Sequence, residues 1–257
     1  MQNTPVDFSV EKLHPLTKKL LEKRGIVGNE ATHDFLFPSY EKHIGDPFLI
    51  HGVKEAVARI VEAIKLGEAI AVYSDYDCDG IPGGVLLRTF FDDIGYPVEM
   101  YIPHRHNEGY GVHNHAIDAL KEKGVKLIIT VDSGIANIDE VAYAKSVGVD
   151  FIVTDHHLPV TVDTDDRGLD ADHAEKSTKA SKKLKANSQK LRAVQIVPDA
   201  VAVINSKQNA CTYHDDMLCG CAVAWNLSCA VLSQLRKSAD LADEAQTSRK
   251  NATQYEH

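Results

Sequence analysis

A chain of 257 residues with 44% hydrophobic side chains is long enough for one large domain with a sizeable core. It holds no run of eighteen apolar residues, which argues against a membrane span, and the N-terminal MQNTPVDFSVEKLHP lacks the basic-then-apolar order of a secretory signal. A formal charge of −9 counts against a nonspecific nucleic-acid-binding module, and less against a metal-dependent nuclease, whose bound cations offset local negative charge.

In chain order, residues 1–50 read as a helical lead-in. HPLTKKLLEKRG has helical spacing, and a loop-like stretch rich in Pro, Gly and aromatic residues follows. Over 53–66, Val53, Val57, Ile60, Val61 and Ile64 share one helical face, closed by Gly67. AIAVY at 69–73 is of strand type and leads into SDYDCDG and the helix-like GVLLRTFFDDIG. PVEMYI at 97–102 predicts the next strand, HAIDALKEKG a helix ended by Gly124, and KLIITV at 126–131 a buried strand. NIDEVAYAKSVG predicts a helix opened by a capping pattern, Asn137 with Glu140, and VDFIVT another strand. Residues 161–192 break the alternation, first rich in Asp and Ala, then in Lys and Ser, and read as a solvated insert. DAVAVINS at 199–206 resumes as a strand, 218–236 is an apolar helix containing Trp225, and the sequence after Lys237 is polar. Strands that are apolar throughout, alternating with helices, predict an α/β fold: a parallel sheet with helices on both faces and its strand ends along one edge. Five cysteines, an odd number in mostly apolar surroundings, fit a reducing cytoplasm better than a disulfide framework.

Chemistry gathers where the strands end. Asp75, Asp77 and Asp79 follow the first strand. Three carboxylates so close repel one another unless a hard divalent cation compensates them, and Gly80, Gly83 and Gly84 permit a tight entry into the next helix; an ordinary surface turn is the alternative. Asp132 ends ITV, with Ser133 and Gly134 offering backbone N–H groups to a phosphate oxygen; the alternative is a simple helix cap. Asp155, His156 and His157 end VDFIVT, a set suited to manganese, zinc, iron or magnesium, unless one histidine is core and the other surface. The loop IPHRHNEGYGVHNH offers Arg105 as a phosphate fork and His104, His106, His113 and His115 as phosphate or metal contacts; a solvated loop is the alternative. Collected at one sheet edge, these residues predict a two-metal phosphodiesterase site. Three weaker signals are set aside. DTDDRGLDAD at 163–172 lacks oxygen ligands where a calcium loop needs them, at Arg167 and Ala174. Cys219 and Cys221, with Cys211 and His214, hint at zinc, but 219 and 221 do not share a helical face and the helix around them is apolar, so they read as small core cysteines. KKLK at 182–185 reads as a solvated run.

The ordered set SDYDCDG, IPHRHNEGYG, ITVDSGI and VTDHH resembles the DHH phosphoesterase superfamily, and within it the RecJ-like single-strand-specific DNA exonucleases. The lead-in pieces HPL, LLEKRGI, FLFP and DPFLIHGVKEAVARI and the later LCGCAVAW extend the likeness. The resemblance implies two divalent cations, Mn2+ or Mg2+. Asp77 would hold one and Asp79 the other, Asp132 would bridge both, and His156 would ligate the second. Asp75 and Asp155 would support or complete the shells, and His157 would touch the scissile phosphate or help protonate the leaving group. It further implies 5′-to-3′ hydrolysis of single-stranded DNA by a metal-activated water, in DNA repair and recombination, in company with single-strand-binding or replication proteins.

The implied organisation is a lead-in (1–50), a DHH-type catalytic core (51–160), a polar insert (161–198), the rest of the catalytic domain (199–237) and a polar tail (238–257). The family's second domain and its final metal-ligand aspartate motif are absent from this arrangement, and Asp240 and Asp243 sit in polar sequence with no strand before them. Ancestry therefore implies an enzyme more firmly than activity. Two alternatives stay open: an oligonucleotide or dinucleotide phosphodiesterase of the same superfamily, and a catalytically impaired repair or replication adaptor. A plain nucleotide-binding domain is disfavoured, because the sequence lacks the GxGxxG or GxxxxGK phosphate loop that would support it.

Overall fold

The computed structural model describes residues 8–164 and 192–253. The chain divides into two compact units at Asp46/Pro47. In the first, α1 (Pro15–Lys23) begins with proline, whose missing N–H would have no helical partner anyway, and the His14 ring accepts the N–H of Leu16. Helices α2 (Asn29–Leu36) and α3 (Tyr40–His43) follow. Phe8, His33 and Phe37 pack ring against ring, with centroids 5.1 to 5.7 Å apart, and Lys42 Nζ lies 2.6 Å from Asp34.

The second unit is a five-stranded parallel sheet. β1 (Ala69–Ser74) lies between β2 (Glu99–Tyr101) and β3 (Val125–Val131). β4 (Asp150–Thr154) pairs with β3, and β7 (Ala202–Ile204) pairs with β4. Alternation along the strands sends side chains into two cores. Ile70, Val72, Leu127, Ile129, Val131 and Ile152 face the side covered by α4 (Val53–Leu66), α5 (Gly80–Asp93) and α8 (Gly220–Thr253). Ala71, Tyr73, Ile128, Phe151 and Val153 face α6 (Asn114–Glu122) and α7 (Ile138–Ser146). With both faces covered, the strands need apolar residues throughout, which is why they carry no polar–apolar alternation. Among the described residues no helix is long and apolar enough to cross a membrane. The chain leaves β1 outward to β2, then returns past it to β3. That reversal of direction opens a crevice above the carboxyl ends of β1 and β3.

Five local expectations change. The strand read at 97–102 narrows to Glu99–Tyr101, with Pro97, which has no N–H for the ladder, left outside it, and the one at 199–206 narrows to Ala202–Ile204. The edges of the insert are ordered: β5 (Val160–Thr164) pairs antiparallel with β6 (Arg192–Ile196). The 165–191 stretch, with KKLK and most of the calcium-like loop, lies outside the described residues. Helix α8 runs on to Thr253, past the polar boundary at 238, because SADLADEAQTSRK is rich in good helix formers. Asn137 occupies the N-cap position of α7 but makes no side-chain cap. Its carbonyl accepts the Val112 N–H at 3.2 Å and its amide donates to Glu140 at 3.1 Å.

Candidate metal centre

Three aspartates stand one residue past their strands, and the backbone of each extends the ladder by one bond. Asp75 N–H donates to Val131 O (3.1 Å), Asp132 N–H to Thr154 O (2.9 Å), and Asp155 N–H to Ile204 O (3.0 Å). Neighbouring strands run about 4.8 Å apart, so this repeated bond sets the carboxylates side by side along one sheet edge.

Asp132 is the centre. Its side chain is 1% exposed, and neither carboxylate oxygen has a hydrogen-bond donor. It is the one non-glycine residue among those described with a positive φ, 61°, a left-handed conformation that costs about 1–3 kcal/mol where structure enforces it. Gly134 (φ 111°) and the bond from Thr130 Oγ1 to Ser133 O (2.7 Å) continue the turn, and Ser133 Oγ is buried without a partner. On one side of Asp132 lie Asp75 and Asp77, and on the other His156 and His157. Each trio brings one ligand atom per residue within 4.8 Å of the others. His156 Nε2 stands 3.1 Å from Asp132 Oδ1 without hydrogen-bonding geometry, and 3.7 Å from Asp79.

The acidic residues differ in what holds them. Asp77 Oδ1 accepts the N–H groups of Asp79 (2.8 Å) and Gly80 (2.9 Å), and these bonds, the Gly80 one foremost, keep its carboxyl below the usual range. Burial raises Asp75, whose Oδ1 has no donor. Burial, then the closeness of Asp77, pushes Asp132 up to about 8. Burial alone would raise Asp155 too, but the His157 ring and the Ile135 and His157 N–H groups all donate to it and hold it low. Asp155 is thus engaged on both oxygens, its Oδ2 by Ile135 and its Oδ1 by the two histidines. It orients His157 through a 2.8 Å bond to Nδ1, and that bond raises the His157 pKa. Burial lowers His156. Buried carboxylate oxygens without donors, in a cluster that cannot all ionise, together with an imidazole kept neutral, form a donor set that fits hard or borderline divalent cations.

The loop between β2 and α6 reaches the same crevice. The Arg105 guanidinium lies 5.1 Å from the centroid of the Tyr76 ring, between Asp75 and Asp77 in sequence. His104 is exposed, and its ring Nδ1 accepts the His106 N–H within the turn. Several residues that face this site give little sign of it in the sequence. Tyr110 places its hydroxyl 3.1 Å from Asp132 O and 3.1 Å from His157 Nδ1. Asn205, fully buried one residue past β7, donates to His157 O (2.8 Å) and accepts the Lys207 N–H (2.8 Å). Lys207 lies close enough to both histidines to oppose their protonation. Gly220 opens α8 against Asp132, where an added Cβ would stand 2.6 Å from Oδ1. Asn205 alone had a readable signal, since it ends an apolar strand as the three aspartates do.

The family model for the DHH family, N-terminal domain, matches residues 69–181, and the chain belongs to the DHH superfamily. Within that superfamily it is a homologue of the RecJ exonucleases. It is 36% identical over 227 residues to the single-stranded-DNA-specific exonuclease RecJ of Bacillus subtilis, covering 88% of this chain and 24% of that protein. Against the Escherichia coli enzyme of the same name it is 30% identical over 229 residues, covering 88% and 32%. A crystal structure of exonuclease RecJ bound to manganese superposes with a TM-score of 0.54 at 28% identity, over 72% of this chain and 38% of that one. The chain spans about a quarter to a third of the length of these curated relatives.

Proposed function

We propose that this chain is a metal-dependent phosphodiesterase acting on single-stranded DNA, as a 5′-to-3′ exonuclease. The observation that carries the reading is Asp132: a buried carboxylate without donors, held in a left-handed turn between an aspartate pair and a histidine pair. In this reading Asp75, Asp77 and Asp132 hold one divalent cation, Mn2+ or Mg2+, and Asp132, Asp79 and His156 hold a second. Cations bound there supply charge compensation and Lewis acidity for phosphoryl transfer. Arg105, Lys207 and the backbone at Ser133 and Gly134 bind phosphate oxygens. His157, aimed by Asp155 and Tyr110, delivers a proton toward the leaving oxygen from its free nitrogen, with His104 at the outer edge of the substrate path. The five unpaired cysteines fit a reducing compartment, and we place the protein in the cytoplasm, in DNA repair or recombination.

The test is manganese-dependent cleavage of 5′- and 3′-labelled single strands, with a duplex and a dinucleotide alongside. Mononucleotides released from the 5′ end of the single strand support the reading. Turnover of the dinucleotide alone makes the protein a small-substrate phosphodiesterase. One observation favours a catalytically impaired adaptor: α8 continues as helix to Thr253, across the region where the resemblance calls for a further ligand after a strand. Two manganese sites by calorimetry support the enzyme, and none supports the adaptor.

A further inference from the structure

The carboxylate of Glu108 lies outside both candidate metal clusters, and it is the one acid on the loop that reaches them. It sits in the turn His104–Gly109, where His104 O accepts the N–H groups of Asn107 (3.0 Å) and Glu108 (2.9 Å). Its Oε2 accepts the His104 N–H at 2.5 Å. Its Oε1 accepts the hydroxyl of Tyr101 and the Nε2–H of His115, both at 2.6 Å. Tyr101 is the last residue of β2 and His115 lies in the first turn of α6, so one side chain joins strand, turn and helix. The side chain is 17% exposed, and the His104 N–H, then Tyr101, pull its pKa down to about 2, which favours the ionised form. Charge-assisted bonds of this length are the strong class of hydrogen bond. With its donors inside the protein, the carboxylate serves the loop as an anchor.

The far side of the same loop bears on the centre. Arg105 packs over Tyr76, and Tyr110, between two glycines of positive φ (83° and 96°), reaches Asp132 O and His157. A second tie, from the buried Tyr73 hydroxyl to Gly111 O (2.9 Å), holds the end of the loop but leaves the 104–108 turn to Glu108. We propose that Glu108 is a positioning residue: its ionised carboxylate clasps the loop so that Arg105 and Tyr110 face the phosphodiester, while cation binding stays with the strand ends. The proposal rests on the phosphodiesterase reading for its catalytic consequence, and on geometry alone for the clasp.

The experiment uses the full chain with manganese and compares wild type, Glu108→Ala, Glu108→Gln and Tyr101→Phe. Three quantities are measured: kcat and KM on a single strand, manganese affinity by calorimetry, and the rate of native trypsin cleavage after Arg105. Misplacing Arg105 by an ångström or so is expected to lower kcat/KM about 100-fold in Glu108→Ala. Tyr101→Phe and Glu108→Gln, which remove part of the bonding, are expected to lose about 10-fold. Cleavage after Arg105 should rise about 10-fold in Glu108→Ala as the turn opens locally. Manganese affinity should stay within about 2-fold in every variant. Wild-type kcat/KM and wild-type trypsin resistance in Glu108→Ala overturn the proposal, and so does a loss of manganese affinity that matches the loss of activity. If Glu108→Ala does not fold, Tyr101→Phe and Glu108→Gln decide by the same criteria. If wild type cleaves no single strand, the phosphodiesterase reading fails on its own account, and trypsin resistance at Arg105 still decides the clasp.

Discussion

At the scale of single residues, the centre is a problem in charge that Asp132 concentrates. A carboxyl whose ordinary pKa is 3.8 is pushed to about 8 by burial first and Asp77 second. The sign follows from linkage. Between these two values the folded chain holds a proton on Asp132 that the unfolded chain has released. Its contribution to stability is therefore full below the ordinary value, shrinks as pH rises, and is gone above about 8. A divalent cation competes for the same oxygens, so its affinity climbs across the same window. Urea midpoints of the metal-free protein at ~pH 5 and ~pH 8.5 should fall further for wild type than for Asp132→Asn. Asp132→Asn should also lose manganese binding at both clusters and any hydrolysis with it. Unchanged manganese-dependent cleavage in that variant would remove Asp132 from the centre.

At the scale of elements, what the sequence disclosed depended on which force shapes each element. β1, β3 and β4 are buried on both faces, so their apolar runs and the aspartates that end them were legible. Residues that matter through a turn or a long-range bond were not. Glu108 looks like one more polar loop residue until its three donors are known, and Lys207 like any surface lysine until Asn205 fixes its backbone. The start of α8 is a further case. LCGCAVAW predicted a helix, but nothing in it disclosed that Gly220 lies against the Asp132 carboxylate. A methyl group there would meet Asp132 atoms at 2.6 to 2.7 Å, and Asp132 is buried with its backbone N–H tied to Thr154 O. Gly220→Ala should therefore cost about 1–3 kcal/mol of stability as overpacking. It should also weaken manganese binding, since either the helix or the shared ligand must shift. Calorimetry and denaturant melts on one preparation test both effects, and a stable variant with unchanged manganese affinity would show that α8 only covers the site.

At the scale of the whole molecule, the centre stores repulsion in a chain that is already acidic, with a net charge of −9. Asp75, Asp77 and Asp132 gather at the carboxyl ends of β1 and β3, where the sheet order reverses; backbone bonds set Asp75 and Asp132 side by side, and the Asp79 and Gly80 N–H groups hold the Asp77 carboxylate beside them. Binding a cation removes that repulsion only in the folded state, because the unfolded chain scatters the same residues along its length. Manganese should thus stabilise by mass action, by about 2.7 kcal/mol when free metal reaches ~100 times its dissociation constant. For a chain of this size that corresponds to a rise in melting temperature of roughly 5–10 °C, reversed by a chelator. Sodium chloride at equal ionic strength should not reproduce it, because salt screens surface charge and reaches buried carboxylates poorly. Asp132→Asn should abolish the manganese effect and leave the response to sodium chloride unchanged. Equal shifts from the two salts in the wild-type protein would mean that the carboxylates at the strand ends share no cation.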